Sequence, residues 1–162
     1  MLERYEHKGL QWIDLESPTL DELKELGKQF GIHPTISNEL ALPSRRPKAD
    51  LYEDISFLVC FFPQEIDFVI CSNVLLTVHY EPIPALDAFR KLLETQTILR
   101  RDNFVKNPHT IFTHMVIFLY RSIEESIELI GEELSRAEQA IFNGKERKMV
   151  RVLSHLSRKL LD

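Results

Sequence analysis

From Phe112 to Ile141 apolar residues return at every third or fourth position: Phe112, Val116, Leu119, Ile123, Ile127, Ile130, Leu134, Ala137 and Ile141. Only a helix brings such a set onto one side, and the run is long enough for about nine to ten turns at 3.6 residues per turn. The predicted helix opens after Pro108 and ends at Asn143-Gly144. Met149, Leu153, Leu156 and Leu160 then resume the same period. Two such stripes in succession predict an antiparallel helical hairpin with a coiled-coil-like seam.

Charge is sorted along that hairpin. Glu124, Glu125, Glu128, Glu132, Glu133 and Glu138 lie on the first arm, and Lys145, Arg147, Lys148, Arg151, Arg158 and Lys159 on the second. Facing arms of opposite sign neutralise each other across a solvated groove, each exposed pair contributing ~0.2–1 kcal/mol. A sharper reading is that the acidic arm raises the local concentration of divalent cations, a field effect lost at high salt.

Upstream the periodicity is mixed. Gln11 to Leu15 reads as a short strand, closed by Glu16-Ser17-Pro18-Thr19. The next helix starts either from a Ser17 cap with Pro18 in first position, or from a capping box of Thr19 with Glu22. Leu20, Leu23, Leu26 and Phe30 give it one apolar face, and Gly31 ends it as a left-handed cap. A shorter helix opens at Pro34 with Ile36, Leu40 and Ala41 inward and stops before Pro43. Ile55 to Phe62 is apolar on both faces, as in a strand covered on both sides, and Glu65 to Cys71 and Val74 to His79 follow at hairpin spacing around Ser72-Asn73. Ala85 to Leu93 reads as a helix with Leu86, Phe89, Leu92 and Leu93 inward.

These elements predict an α/β (α+β) fold: a mixed or largely antiparallel sheet flanked by helices as an α/β/α sandwich, with the hairpin on its C-terminal side. Residues 1–107 form the sheet-and-helix part and residues 108–162 the hairpin, as one domain. At 162 residues and 44% apolar composition the chain can bury a real core.

Several function classes find no support. No run approaches the ~20 apolar residues that span a bilayer, and Met1 to Lys8 carries mixed charges without the apolar centre of a signal peptide. A cytosolic location is the default expectation. Cys60 and Cys71 sit in apolar runs and read as core thiols, and the six histidines show no zinc-ligand spacing. The net charge of −5 offers no footprint for nucleic acid. With five glycines and neither a phosphate loop nor a metal-hydrolase motif, an enzyme is not expected.

Four short signatures stand in fixed order: Trp12-Ile13-Asp14-Leu15, Gly31-Ile32-His33-Pro34, Arg45-Arg46-Pro47-Lys48, and His79-Tyr80-Glu81-Pro82-Ile83-Pro84. Their order, their spacing and the hairpin that follows resemble the cytoplasmic domain of the CorA family of magnesium and cobalt transporters, from Leu10 to Asp162. The resemblance implies a regulatory and assembly domain that gates transport. In that family homopentamers form a cytoplasmic funnel, and magnesium bound between subunits holds the closed state. The family hairpin continues into a stalk helix and two membrane helices with a Gly-Met-Asn signature. Leu160-Leu161-Asp162 closes this chain on seam residues without a helix stop, so a truncated piece of such a transporter is expected, on the cytoplasmic side of the cell membrane and joined to it only through segments beyond Asp162.

The resemblance also implies a site. The family often places two acidic residues five and six positions after the histidine of Gly-x-His-Pro, which here are Asn38 and Glu39. Glu39 keeps a carboxylate and Asn38 offers a neutral carbonyl oxygen. A further acidic position on the long helix falls at Ile117, which cannot bind metal. Glu39 and Asn38 are therefore the expected metal-facing pair, for weakly bound regulatory Mg2+, with Co2+ or Zn2+ as other cations. The plain reading of Glu39 is a solvated helix-surface carboxylate. Trp12 is expected in the core, His33 as a helix-entry cap, His79 in packing or a hydrogen bond, Asp14 and Glu16 in a strand-end arrangement with the helix dipole, and Arg45 to Lys48 in a turn leading into the sheet. Alternatives are the zinc-transporting branch of the same superfamily and a free-standing protein-interaction module built on the hairpin.

Overall fold

The computed structural model describes residues 1–99, 102–142, 154, 157 and 158. Two compact units emerge, Met1–Leu119 and Tyr120–Asp162. The first is built on a six-stranded mixed sheet. Its strands are β1 (Leu2–His7), β2 (Leu10–Glu16), β3 (Lys48–Leu51), β4 (Ser56–Phe62), β5 (Gln64–Ile70) and β6 (Val74–His79), in the order β1-β2-β6-β5-β4-β3. The β2–β6 pair is parallel and the other pairs are antiparallel, which matches the expected mixed, largely antiparallel sheet.

Two strands escaped the sequence reading. β1 has the alternating polar sequence Leu-Glu-Arg-Tyr-Glu-His, with Tyr5 as its buried residue. It joins β2 through Lys8 (φ 51°) and Gly9 (φ 80°), two successive left-handed residues that match the twist of a tight hairpin. Its charged residues also suit an exposed sheet edge. β3 is a four-residue strand at the opposite edge. β4 was expected to be covered on both faces, yet it alternates: Phe57 and Val59 are buried, Leu58 and Cys60 are half-buried, and Phe61 is exposed. Its neighbour on one side is the short β3, so coverage thins toward that edge.

Helices cover both faces of the sheet. α1 (Leu20–Phe30) starts from Thr19, whose side chain accepts from Glu22 N–H while the Glu22 carboxylate accepts from Thr19 N–H; the capping box is the observed start. Ser17 instead donates its Oγ–H to the Tyr80 carbonyl at 2.9 Å. Gly31 (φ 71°) closes α1 in the left-handed conformation. α2 (Pro34–Glu39) is capped by His33, whose Nδ1 accepts from Thr35 N–H at 3.2 Å. Leu23, Leu26, Ile32, Ile36 and Leu40 pack with Ile13, Leu15, Phe57, Val59, Val69, Leu76 and Val78 into one core layer.

The opposite face carries Trp12, Phe68, Thr77 and His79, at the alternate strand positions. α3 (Pro84–Ile98) runs longer than its sequence signal and buries Leu86, Phe89 and Leu93; Leu92 is half-buried. Trp12 meets Phe89 edge-on with ring centroids 5.7 Å apart. α4 (Pro108–Phe142) begins under an Asn107 cap that accepts from Thr110 N–H at 2.8 Å. Its deepest residues in the first unit are Ile111, Met115 and Leu119, while Phe112 and Val116 are half-buried. Leu119 is an expected seam residue, whereas Ile111 and Met115 each precede one, so the buried stripe is wider than the expected seam; Phe112, half-buried, still packs on the sheet against Phe68 at 5.0 Å.

In the second unit α4 exposes Ile127 and Leu134, and Arg136 pairs with Glu132 at 2.9 Å one turn away on the same helix. The expected break at Asn143-Gly144 and the return stripe of Met149, Leu153, Leu156 and Leu160 lie outside the described residues, as does nearly all of the basic arm.

Candidate functional site

α2 is short, and its last residues set out the candidate donors. Asn38 and Glu39 are both exposed at its C-terminal end. The Glu39 carboxylate is already engaged: Lys48 Nζ donates to its Oε2. Lys48 opens β3, sits 2.8 Å from Asp50 Oδ2, and lies over the Phe57 ring at 4.6 Å. Hydrogen bonds to Asp50 and Glu39 raise the Lys48 pKa, so it stays an ammonium throughout the physiological range. Ile117, at 46% exposed, lies on α4 and offers no donor. Among the described residues, no three His, Cys, Asp or Glu side chains are grouped to hold a metal ion.

Beneath α2 the sheet carries buried acids that the sequence reading passed over. Glu65 and Asp67 sit at alternate positions of β5 on the α1/α2 side, buried to 9% and 1% exposure. Glu65 is satisfied by the backbone before β3. Ser44 N–H donates to Oε1 at 2.6 Å and Arg45 N–H to Oε2 at 2.8 Å. Arg45 takes a left-handed φ of 59° to make this possible. The Arg45-Arg46-Pro47-Lys48 motif is thus a turn into the sheet, anchored by a carboxylate.

Among the described residues Asp67 has one hydrogen-bond partner. Tyr80 Oη lies 2.9 Å from Asp67 Oδ2 and 3.2 Å from the carbonyl of Leu40, the C-cap of α2. Asp67 Oδ1 is buried without a hydrogen bond among the described residues. Burial pushes the Asp67 pKa up to about 7, with nearby Glu65 acting in the same direction and the Tyr80 hydrogen bond opposing. Burial and the Asp67 charge likewise raise Tyr80, and burial raises Cys60.

A second polar cluster lies on the opposite face, under α3. Asp14 on β2 is buried, where a strand-end position beside a helix dipole was expected. Arg90 Nη2 donates to its Oδ2 at 3.0 Å, and Thr77 Oγ1 donates to its Oδ1. Trp12 Nε1 in turn donates to Thr77 Oγ1 at 2.9 Å. Arg90 also pairs with Glu3 and lies 5.4 Å from the Trp12 ring centre. His79 Nε2 is 3.5 Å from Asp14 Oδ1, and its Nδ1 is 2.6 Å from the Glu81 carbonyl. Burial depresses the His79 pKa, but the Asp14 hydrogen bond, the Glu81 carbonyl and the charges of Asp14 and Glu16 outweigh it and leave the value raised. The cleft left among these groups offers about 40 Å³ to water, room for a few ordered molecules.

Two signatures thus converge on structural tasks: Trp12 and Asp14 meet His79 through Thr77 and Asp14. Gly31-Ile32-His33-Pro34 ends one helix and caps the next. Tyr80, adjacent to His79, faces the other cluster. The sequence contained one signal for the buried acids: Glu65 and Asp67 share strand parity with Val69 and Cys71, so an acidic pair continues an inward face.

Comparisons with known proteins agree with this fold. Residues 7–162 match the family model described as CorA-like Mg2+ transporter protein. Magnesium transporter ALR1 of Saccharomyces cerevisiae is 25% identical over 158 residues, covering 90% of this chain and 18% of that protein. Cobalt/magnesium transport protein CorA of Methanocaldococcus jannaschii is 25% identical over 167 residues, covering 97% of this chain and 51% of that protein. The complete structure of the latter superposes with a TM-score of 0.73 at 24% identity, over 97% of this chain and 51% of that one. Its soluble domain superposes with a TM-score of 0.69 over 88% of this chain and 60% of that one, also at 24% identity. This chain spans about half of the archaeal relative and under a fifth of the yeast one. Among the described residues no helix is long and apolar enough to cross a membrane.

Proposed function

The chain belongs to the CorA-like Mg2+ transporter family, and on that premise we propose that it is the cytoplasmic regulatory and assembly domain of a divalent cation transporter, sensing internal magnesium at subunit interfaces. The observation that carries this reading is the family match, which runs from residue 7 to residue 162. As an assembly domain it works within a homo-oligomer, a pentamer in the full-length protein. The domain itself conducts nothing; its role is to bias a gate.

The physical basis is linkage. A ligand that binds a closed interface more tightly than an open one shifts the equilibrium toward closure by its difference in affinity. Glu39 and Asn38 supply one carboxylate and one amide oxygen at an exposed helix end. Mg2+ favours oxygen donors and keeps several waters, so two donors from one subunit suffice for a weak site completed from outside the chain. Such hard donors suit Mg2+ better than the softer ligands that favour Zn2+.

The test is magnesium protection of the full-length assembled protein against limited proteolysis, compared with Glu39→Ala. Magnesium is expected to slow cleavage of the parent and to protect Glu39→Ala less. Equal protection removes Glu39 from the site, and no protection of the parent at millimolar-range magnesium overturns the sensing role.

A further inference from the structure

Tyr80 has one hydroxyl proton and two acceptors within reach. One is Asp67 Oδ2 on β5 and the other is the Leu40 carbonyl at the end of α2. It can donate to only one at a time. We propose that protonation of Asp67 decides which, so that the buried carboxyl works as a proton-operated catch on α2.

The two states follow from hydrogen-bond inventory. With Asp67 ionised, the carboxylate only accepts, and Tyr80 donates to it in a charge-assisted bond. The Leu40 carbonyl then loses the phenol. When Asp67 takes a proton from solvent on Oδ2, that oxygen becomes a donor to Tyr80 Oη. The phenol proton turns to Leu40, and a continuous chain runs from Asp67 through Tyr80 to the α2 C-cap. Each state differs by one proton bound and one hydrogen bond redirected.

The surroundings favour a proton that comes and goes. Asp67 is 1% exposed, and its Oδ1 has no partner among the described residues. An unpartnered oxygen is far costlier on a buried carboxylate than on a neutral acid. Val59 and Val78 flank it across the ladder. The charged and titratable groups around it are Tyr80 after β6, Glu65 on β5, Lys48 on β3 and Glu39 on α2, with Cys60 of β4 on the opposite face of the sheet. Glu65 is committed to two backbone donors, and Lys48 to Glu39 and Asp50. Of the three carboxyl groups in this set, Asp67 is the one with neither a backbone N–H donor nor an ammonium partner among the described residues. The catch does not depend on metal binding, because it acts on the α2 backbone.

The test is amide hydrogen exchange of the purified chain, read as protection factors so that the intrinsic pH dependence drops out. The amides are Ser37, Leu40 and Ala41, which bond within the α2 region, with Val69 and Leu76 in the sheet as references. Protection at α2, relative to the references, is expected to rise about fivefold between about pH 8.5 and about pH 5.5, the effect of one ordinary hydrogen bond. Tyr80→Phe should abolish this rise, and Asp67→Asn should give high protection at both pH values, because the Asn amide donates to Tyr80 as the protonated acid does. Carbon-13 carboxyl shifts should place Asp67's titration near neutrality in both the parent and Tyr80→Phe. A flat profile in the parent, or an unchanged rise in Tyr80→Phe, overturns the proposal.

Discussion

Arg90 Nη2 stands 3.0 Å from Asp14 Oδ2, joining α3 to β2 across 76 residues of sequence. Their side chains are 16% and 8% exposed, so both charges are largely withdrawn from bulk water. A buried pair of this kind gives little net stability as a pair, but loss of Arg90 takes the guanidinium from both Asp14 and Glu3 and leaves Asp14 to Thr77 and His79 alone. Arg90→Leu should therefore lower the unfolding free energy by about 3–5 kcal/mol. Asp14→Leu combined with Arg90→Leu should recover a large part of that. Urea denaturation of the three variants decides it; a single substitution that costs nothing would mean that solvent enters this interface.

Asp67 and His79 both hold protons more tightly in the folded chain than in the unfolded one. The stability each contributes is fully present below its unfolded pKa and is lost as pH rises through its folded value. For Asp67 that window runs from 3.8 to about 7, and for His79 it begins at 6.5. Between about pH 5 and about pH 7 the unfolding free energy should fall as pH rises, by up to ~1.4 kcal/mol per pH unit for a single fully linked proton. Asp67→Asn should flatten this slope. A slope that survives the substitution would assign it to other groups.

Gly27 on α1 closely approaches Ser37 on α2. A Cβ placed there would lie 2.7 Å from Ser37 Oγ and 3.9 Å from Ser37 Cβ. The obstacle is a single hydroxyl on a buried residue. Gly27→Ala gains ~1 kcal/mol of helix propensity but meets an overlap that costs about 1–3 kcal/mol. Against a Ser37→Ala background the overlap disappears. The same glycine substitution should then be more favourable by at least ~1 kcal/mol, a non-additivity typical of residues in contact. Thermal melts of the four-member cycle measure it, and additive effects would show that Ser37 swings aside freely.

The long helix, the capping signals and the hairpin between β5 and β6 were legible in the sequence because each rests on local chemistry: a 3.6-residue period, Thr19 with Glu22, Ser72-Asn73. β1 and β3 were not, because alternating polar residues on sheet edges look like solvated chain until a partner strand is known. The α4 seam was legible in part: Leu119 and Ala137 are buried as expected, while Ile111 and Met115 join them because the start of the helix is covered over a wider stripe than a two-helix seam requires. Among site residues, Glu39 and Asn38 came from the family motif, with no inkling that Lys48 would hold Glu39. Asp67, Tyr80 and Arg90 stayed hidden for a related reason. Burial of a charge depends on contacts from distant segments; for Asp67 the strand parity with Val69 marked only the face, not the partner, and for Tyr80 and Arg90 no local pattern marked either.

Lys48 bears directly on the proposed sensing role. Its ammonium occupies the Glu39 carboxylate and reaches Asp50 at 2.8 Å, so any cation approaching Glu39 competes with a charge tethered in place. Lys48 is 29% exposed and Glu39 42%, which keeps the pair weak, on the scale of ~0.2–1 kcal/mol for solvated ion pairs. Removing the tethered cation with Lys48→Met should lower the magnesium concentration needed for half-maximal protection by about two- to fivefold in the full-length protein. Lys91→Met, at an exposed position on α3, changes the net charge equally without touching Glu39. If it shifts the half-point as much, the effect is a long-range field and ordinary salt will erase it. If only Lys48→Met shifts it, and the shift vanishes when Glu39→Ala is added, magnesium and Lys48 contend for one carboxylate.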